Sequence, residues 1–159
     1  TPPAPDAPGA PYALALVGCG KAKASVACAA RALYTSALFR LSLAHAESQA
    51  SQVRIVSALH GLVDPDEVLH PYALALGELT PEAQQSWIAE VVEQLGAGEG
   101  RPLLLLAGGS YALRLEGPLR AAGWRVELPL GGLSVGRRLR WLSQAQQAQQ
   151  AQRAQGGAR

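Results

Sequence analysis

Methionine and asparagine are missing altogether from this chain of 159 residues, and phenylalanine occurs once. With aromatic residues at 5%, a core has to be built from aliphatic side chains, which a hydrophobic content of 48% supplies. Two cysteines, Cys19 and Cys28, are too few for a disulfide framework and fit a reducing compartment. They and the three histidines lack ligand spacing, so no structural metal site is expected. No apolar run approaches the roughly 18 residues of a membrane span. Thr1 to Pro11 lacks the basic start and apolar stretch of a signal peptide, so a cytoplasmic location is expected. A net charge of +2 is too small for a protein that coats nucleic acid or clings to anionic membranes. Lysine is scarce as well. Of 14 basic residues twelve are arginine, and both lysines, Lys21 and Lys23, sit together. Enrichment in Ala, Gly, Leu and Arg reads as coding bias, to which the two lysines are exceptions.

The length suits one domain. Residues 1–11, rich in Pro and Ala, read as a disordered lead-in, and 12–142 as a single α/β domain. Residues 143–159 repeat Gln-Ala-Gln-Gln and read as a helical or disordered tail, with possible self-association as one use. Within the domain, Tyr12–Val17, Gln52–Ala58, Pro102–Ala107 and Trp124–Leu130 are short apolar runs that predict strands, the last of them an edge. Helical spacing predicts one helix over Arg31–Ser51. Thr80 followed by Pro81 opens another that runs to about Leu95. Gly108-Gly109-Ser110 leads into a third ending near Gly123, and Ser134 caps a last one through about Ala151. Leu62 to Gly77, with two prolines, predicts mostly loop. Apolar strands alternating with helices imply a three-layer α/β sandwich around a mostly parallel, Rossmann-like sheet of about four or five strands.

In such a sheet, ligands sit beyond the carboxyl ends of the strands. Those ends carry Gly18-Cys19-Gly20-Lys21, then Ser57 and His60-Gly61, then Gly108-Gly109-Ser110-Tyr111, then Gly131-Gly132 before Ser134. Glycines let backbone amides approach a ligand, and helix N-termini favour an anion. The spacing fits neither a P-loop nor a GxGxxG fingerprint, so no nucleotide cofactor is implied. Cys19 has Lys21 nearby, a charge that favours the thiolate, although a cysteine at a strand end is commonly a small buried residue. His60 is placed either to bond backbone or to act as an acid/base. Tyr34 and Ser36 could orient a ligand, and Tyr34 and Leu38 could equally be a helical packing pair. Tyr72 follows Pro71 in a loop suited to base stacking or to anchoring. Arg137, Arg138 and Arg140 with Trp141 form the densest basic cluster, either a nucleic-acid surface or a solvated helix face. His45 and His70 are assigned no chemistry.

The stretch from Ser57 to Gly77 resembles the central signature of the YaaA family through Gly61, Leu62, Pro65, Pro71, Tyr72, Leu74 and Gly77. Cys19-Gly20-Lys21 with Lys23, and Leu33-Tyr34-Thr35-Ser36 with Phe39, look like a compact bacterial branch of that superfamily. They are distantly similar to the lyase core of archaeosine synthase. Gly131-Gly132-Leu133, Gly136, Arg138, Trp141 and Leu142 fit the same branch, so the resemblance spans about Leu14 to Leu142. It implies a cytoplasmic protein of peroxide stress that binds DNA, or one acting on a modified base in RNA.

Two readings follow. In the first, the chain binds nucleic acid or a nucleobase or nucleotide, through Tyr72 and the Arg137, Arg138, Arg140 and Trp141 cluster. In the second, it is an enzyme of lyase, glycosidase or transferase type on a nucleoside or free base. Cys19, Lys21 and His60 are then catalytic, and Tyr34, Ser36, Ser57, Tyr72, Gly108, Gly109, Tyr111 and Gly132 bind the ligand. Lys21 meets an anionic group, His60 moves protons, Tyr72 stacks and Ser36 orients. Lys21 and His60 on opposite ends of the sheet would exclude the second reading.

Overall fold

A computed structural model describes residues 10–157, so most of the lead-in lies outside the described residues. Chain order gives β1 (Tyr12–Gly18), β2 (Cys28–Ala29), α1 (Ala30–Leu33), α2 (Ala37–Gln49), β3 (Ala50–Ser57), β4 (Gly61–Val63) and β5 (Val68–Leu69). A single 3-10 turn, Leu76–Glu78, precedes α3 (Pro81–Leu95), β6 (Pro102–Leu106), α4 (Gly109–Ala121), β7 (Arg125–Glu127) and α5 (Val135–Gly157). The main sheet has five strands in the order β4-β3-β1-β6-β7. Its four predicted strands are parallel to their neighbours, and β4 adds an antiparallel edge to β3. β2 and β5 form a separate antiparallel pair.

Alternation along β1 divides the core. Leu14 and Leu16 join a cluster with Trp87, Val91, Leu115 and Leu119 of α3 and α4. Ala15 and Val17 join another with Phe39, Leu43 and Leu142 of α2 and α5. Both clusters are aliphatic in the main, as the shortage of aromatics requires. The predicted caps form: Thr80 accepts from the Ala83 amide at 3.1 Å with Pro81 in the first turn, and Ser134 accepts from Arg137 at 3.3 Å.

Three sequence expectations are corrected. The helix foreseen over Arg31–Ser51 is broken, because Tyr34 and Ser36 are extended (ψ 116° and 149°). Local pairing holds the break: the Ala24 amide donates to Leu33 at 2.8 Å, and Thr35 donates to Ala22 at 3.0 Å. Ser36 then accepts from the Phe39 amide at 3.1 Å and starts α2. Tyr34 therefore packs on Phe39, ring centroids 5.0 Å apart, rather than forming a helical pair with Leu38. Leu62–Gly77 is mostly loop, as expected, with the end of β4 and the short β5 inside it. The fourth predicted strand shrinks to Arg125–Glu127, and the last helix reaches Gly157 rather than Ala151.

Candidate functional site

The strand order puts the reversal of connection beside β1: the chain leaves β1 for β3 on one side and later enters β6 on the other. Such a switch point opens a crevice at the carboxyl ends. Gly18 lines it for a steric reason. A Cβ at Gly18 would stand 3.1 Å from that of Ala107, so a larger residue would push β1 and β6 apart. The Cys19 amide donates to Val56 at 3.1 Å, which prolongs the ladder one residue beyond β1 and fixes the thiol's position.

Behind the crevice lies a buried hydroxyl network. The Tyr72 hydroxyl is 2.5 Å from the Ser57 Oγ and 2.5 Å from the Tyr34 hydroxyl. Ser57 is fully buried and Tyr34 nearly so. The His60 amide donates to the Ser57 Oγ at 3.2 Å, and the Trp87 indole donates to the Ser57 carbonyl at 2.9 Å. Ser57 is thereby held at both its polar groups. The exposed His60 ring stands perpendicular to Tyr72, with centroids 5.2 Å apart. Lys23, to which the sequence offered no role, places its ammonium 4.4 Å from the Tyr72 ring centroid and 5.7 Å from that of Tyr34. This is cation–π distance. The Lys23 charge thus occupies one face of the ring expected to stack on a base.

Cys19 meets α4 through its Sγ, 3.0 Å from the Tyr111 hydroxyl. Tyr111 in turn packs on Trp87 at 5.6 Å. Burial is the largest cause holding the Tyr34, Tyr72 and Tyr111 phenols above their ordinary value of 10, and the nearby Cys19 adds to it. All three keep their protons at neutral pH and act as neutral hydrogen-bonding groups.

Two cavities flank Cys19 and Gly20. The larger, about 430 Å³, is bounded by Lys21, Lys23, Tyr72 and Tyr111 and closed by the segment Ala73–Glu78. The smaller, about 120 Å³, is bounded by Ser36, Gly108 and Arg138. Of the residues foreseen from the sequence, Cys19, Lys21, Tyr72 and Tyr111 therefore meet at the larger cavity. Tyr34, Ser57 and His60 contact Tyr72 from behind or beside it. Ser36 and Gly108 belong to the smaller one. Gly109 is exposed at the start of α4, and Gly132 is exposed with φ +75° in the turn before α5.

The basic cluster does not stay together. Arg137 and Arg140 are exposed, while Trp141 is half-buried with its ring 5.1 Å from His45. Arg138 turns toward the sheet. Its Nη1 lies 3.7 Å from the place of a Cβ on Gly108, and its Nε is buried without a hydrogen-bond partner. Lys23, Leu74 and Gly77 stand in the sequence motifs without a site role, and neither their place on the larger cavity nor the inward turn of Arg138 was foreseen. The scarcity of lysine drew attention to the loop after β1, and both lysines line the larger cavity.

Fold and site together define an α/β protein with a crevice of mixed polar and apolar lining at the carboxyl ends of its parallel strands. Residues 14–144 match a family of unknown function, DUF6884, and the chain belongs to that family. No curated protein and no solved structure matches it. Among the described residues no helix is long and apolar enough to cross a membrane, and no three His, Cys, Asp or Glu side chains cluster as metal ligands.

Proposed function

We propose that this protein binds a nucleobase, nucleoside or nucleotide in the larger cavity. The observation that carries the reading is the convergence of Cys19, Lys21, Tyr72 and Tyr111 on one space, with the His60 ring against Tyr72. Lys21 and His60 thus lie at the same end of the sheet, as a pocket-based function demands. Aromatic edges and the apolar stretch through Leu74 suit a flat ring, and the ammonium groups suit an anionic substituent. Neutral phenols supply directional hydrogen bonds. In this reading Lys21 attracts the charged part of the ligand, and Lys23 holds Tyr72 in place until a ring displaces it.

Chemistry on the bound base is a second reading, favoured by the Cys19–Tyr111 pair. A thiol and a protonated hydroxyl 3.0 Å apart can serve as nucleophile and proton donor. A base presented within a nucleic acid belongs to the same proposal, with exposed Arg137 and Arg140 as the phosphate contacts. So do kinship with the YaaA-like proteins, a role in oxidative stress or base modification, cytoplasmic residence, and self-association through the exposed part of α5 beyond Ser143. The two core clusters on alternate sides of β1 support the finer description of the fold as a three-layer, Rossmann-like sandwich.

The test is titration with free bases, ribonucleosides and their 5′-monophosphates, followed by tryptophan fluorescence, since Trp87 touches Tyr111. Binding of at least one with a Kd below about 1 mM supports the proposal. Lys21→Glu, an exposed charge reversal, is expected to weaken a monophosphate about tenfold and an uncharged nucleoside little. Failure of every compound to bind would overturn the proposal. Loss of single-stranded RNA or DNA binding with rising salt, abolished by Arg137→Ala with Arg140→Ala, distinguishes a base within a polymer from a free ligand.

A further inference from the structure

Arg138 has an unusual setting for an arginine in an exposed basic run. Its Nε is buried and, among the described residues, lacks an acceptor. None of the ion pairs seen among those residues involves it. Burying a guanidinium N–H without an acceptor is costly, so such a group marks a place where a partner belongs. The guanidinium borders the smaller cavity, which lies at the β1/β6 switch point between Gly18-Cys19-Gly20 and Ala107-Gly108.

The rest of the lining joins a few polar groups to an apolar floor of Leu38, Phe39, Leu106 and Leu130. α4, a helix of 13 residues, begins at its edge, and Gly108 provides no side chain to cap the first amides. Gly108 itself lines the cavity, which therefore borders the partly positive end of that helix. Ser36, the cap of α2, adds a hydroxyl to the lining beside Gly20. No carboxylate is among the lining residues. A volume of about 120 Å³ admits a single tetrahedral group but not a ring system.

We infer that the smaller cavity is a phosphate site, with Arg138 as its fork-shaped donor and the N-terminus of α4 as its second arm. It stands independently of the reading of the larger cavity. The two spaces share Cys19 and Gly20, so the phosphate can be the free ion or the phosphate of a nucleotide whose ring occupies the larger space. Arg138 would then be a specificity-determining residue rather than part of a nucleic-acid surface.

The experiment is an amide-detected NMR titration of the whole chain with inorganic phosphate, then with adenosine, then with adenosine 5′-monophosphate. Phosphate is expected to shift the amides of Gly20, Gly108 and Gly109 saturably. Arg138→Gln should weaken it about tenfold or more, while Arg40→Gln, an exposed arginine on α2 outside the cavity, should change it less than about twofold. Gly20→Val is a second variant that leaves Arg138 intact. Its side chain starts toward the Ser36 Oγ, 3.4 Å from the Cβ position, and should block the site. Tighter binding of the monophosphate than of phosphate or adenosine alone identifies the nucleotide as the source. Equal affinity for monophosphate and phosphate, with adenosine inert, identifies the free ion; the phosphate site then stands while the ring-binding proposal falls. Phosphate shifts that are absent, or unchanged in both Arg138→Gln and Gly20→Val, overturn the inference.

Discussion

The Tyr72 hydroxyl sits 2.5 Å from the Ser57 Oγ, joining the loop after β5 to the last residue of β3 across 15 positions of sequence. Because Ser57 is fully buried, this contact replaces water that the hydroxyl has lost. Tyr72→Phe leaves both Ser57 and Tyr34 short of a partner and should destabilise the fold by about 1–3 kcal/mol. Ser57→Ala should cost a similar amount. Chemical denaturation of both single variants and the double variant checks this. The double variant is expected to lose less than the sum, since both changes break one network. Simple additivity would mean the two hydroxyls are not coupled.

Alkaline pH should unfold the protein through its tyrosines. All four resist ionisation: burial raises Tyr34, Tyr72 and Tyr111, and burial with the Glu127 hydrogen bond lifts Tyr12 to about 12. Native values above the unfolded value of 10 mean that the folded state holds protons the unfolded chain releases. Their stabilisation is whole below pH 10 and declines as pH rises through the native values. Tyrosinate absorbance is expected to stay low until unfolding begins, and Tyr12→Phe should reduce the loss of stability between about pH 10 and 12.

Acid should loosen α5 from α2. Burial pulls the His45 imidazole below its ordinary 6.5, and its ring meets that of Trp141 on α5. The folded state keeps His45 neutral, so the contribution of this group is whole above pH 6.5 and is lost as pH falls through the lower native value. Tryptophan fluorescence should report a change on acidification that His45→Gln removes. An unchanged acid transition in that variant would show that other groups drive it.

Gly98 is a packing requirement on the far side of the domain. A Cβ there would stand 2.6 Å from the Trp124 Cα, inside the backbone of the turn before β7. Gly98→Ala should cost about 3 kcal/mol or prevent folding. The same change at Gly136, with open space around it and no positive φ, should be tolerated; thermal melts of the pair compare them.

Much of the scaffold was legible because it is written in local pattern. PLLLL over Pro102–Leu106 and YALALV over Tyr12–Val17 are apolar runs too short for helices, and both are strands. Of the glycines at the strand ends, Gly18, Gly20 and Gly108 border the crevice, while Gly61, Gly109, Gly131 and Gly132 line neither cavity. What stayed hidden depends on distant partners. Helical spacing continues through Tyr34, yet its hydroxyl bonds Tyr72, 38 residues away, and the backbone is extended there. Arg138 looks like one more charge in an arginine run, and only the approach of α5 to Gly108 turns it inward. Lys23 had a conspicuous identity but no visible target until Tyr72 came under it. Short strands such as β4 carry too few residues to show a period at all.

The central claim is that the space bounded by Lys21, Tyr72 and Tyr111 receives a base-bearing ligand. Its most direct test is the amide NMR titration of the intact chain with ribonucleosides and their monophosphates. The expected result is saturable shifts at Gly20, Lys21, Tyr72 and Tyr111, together with the Trp87 indole. Shifts confined to Arg137 and Arg140 on α5, or none with any of the compounds, would contradict it.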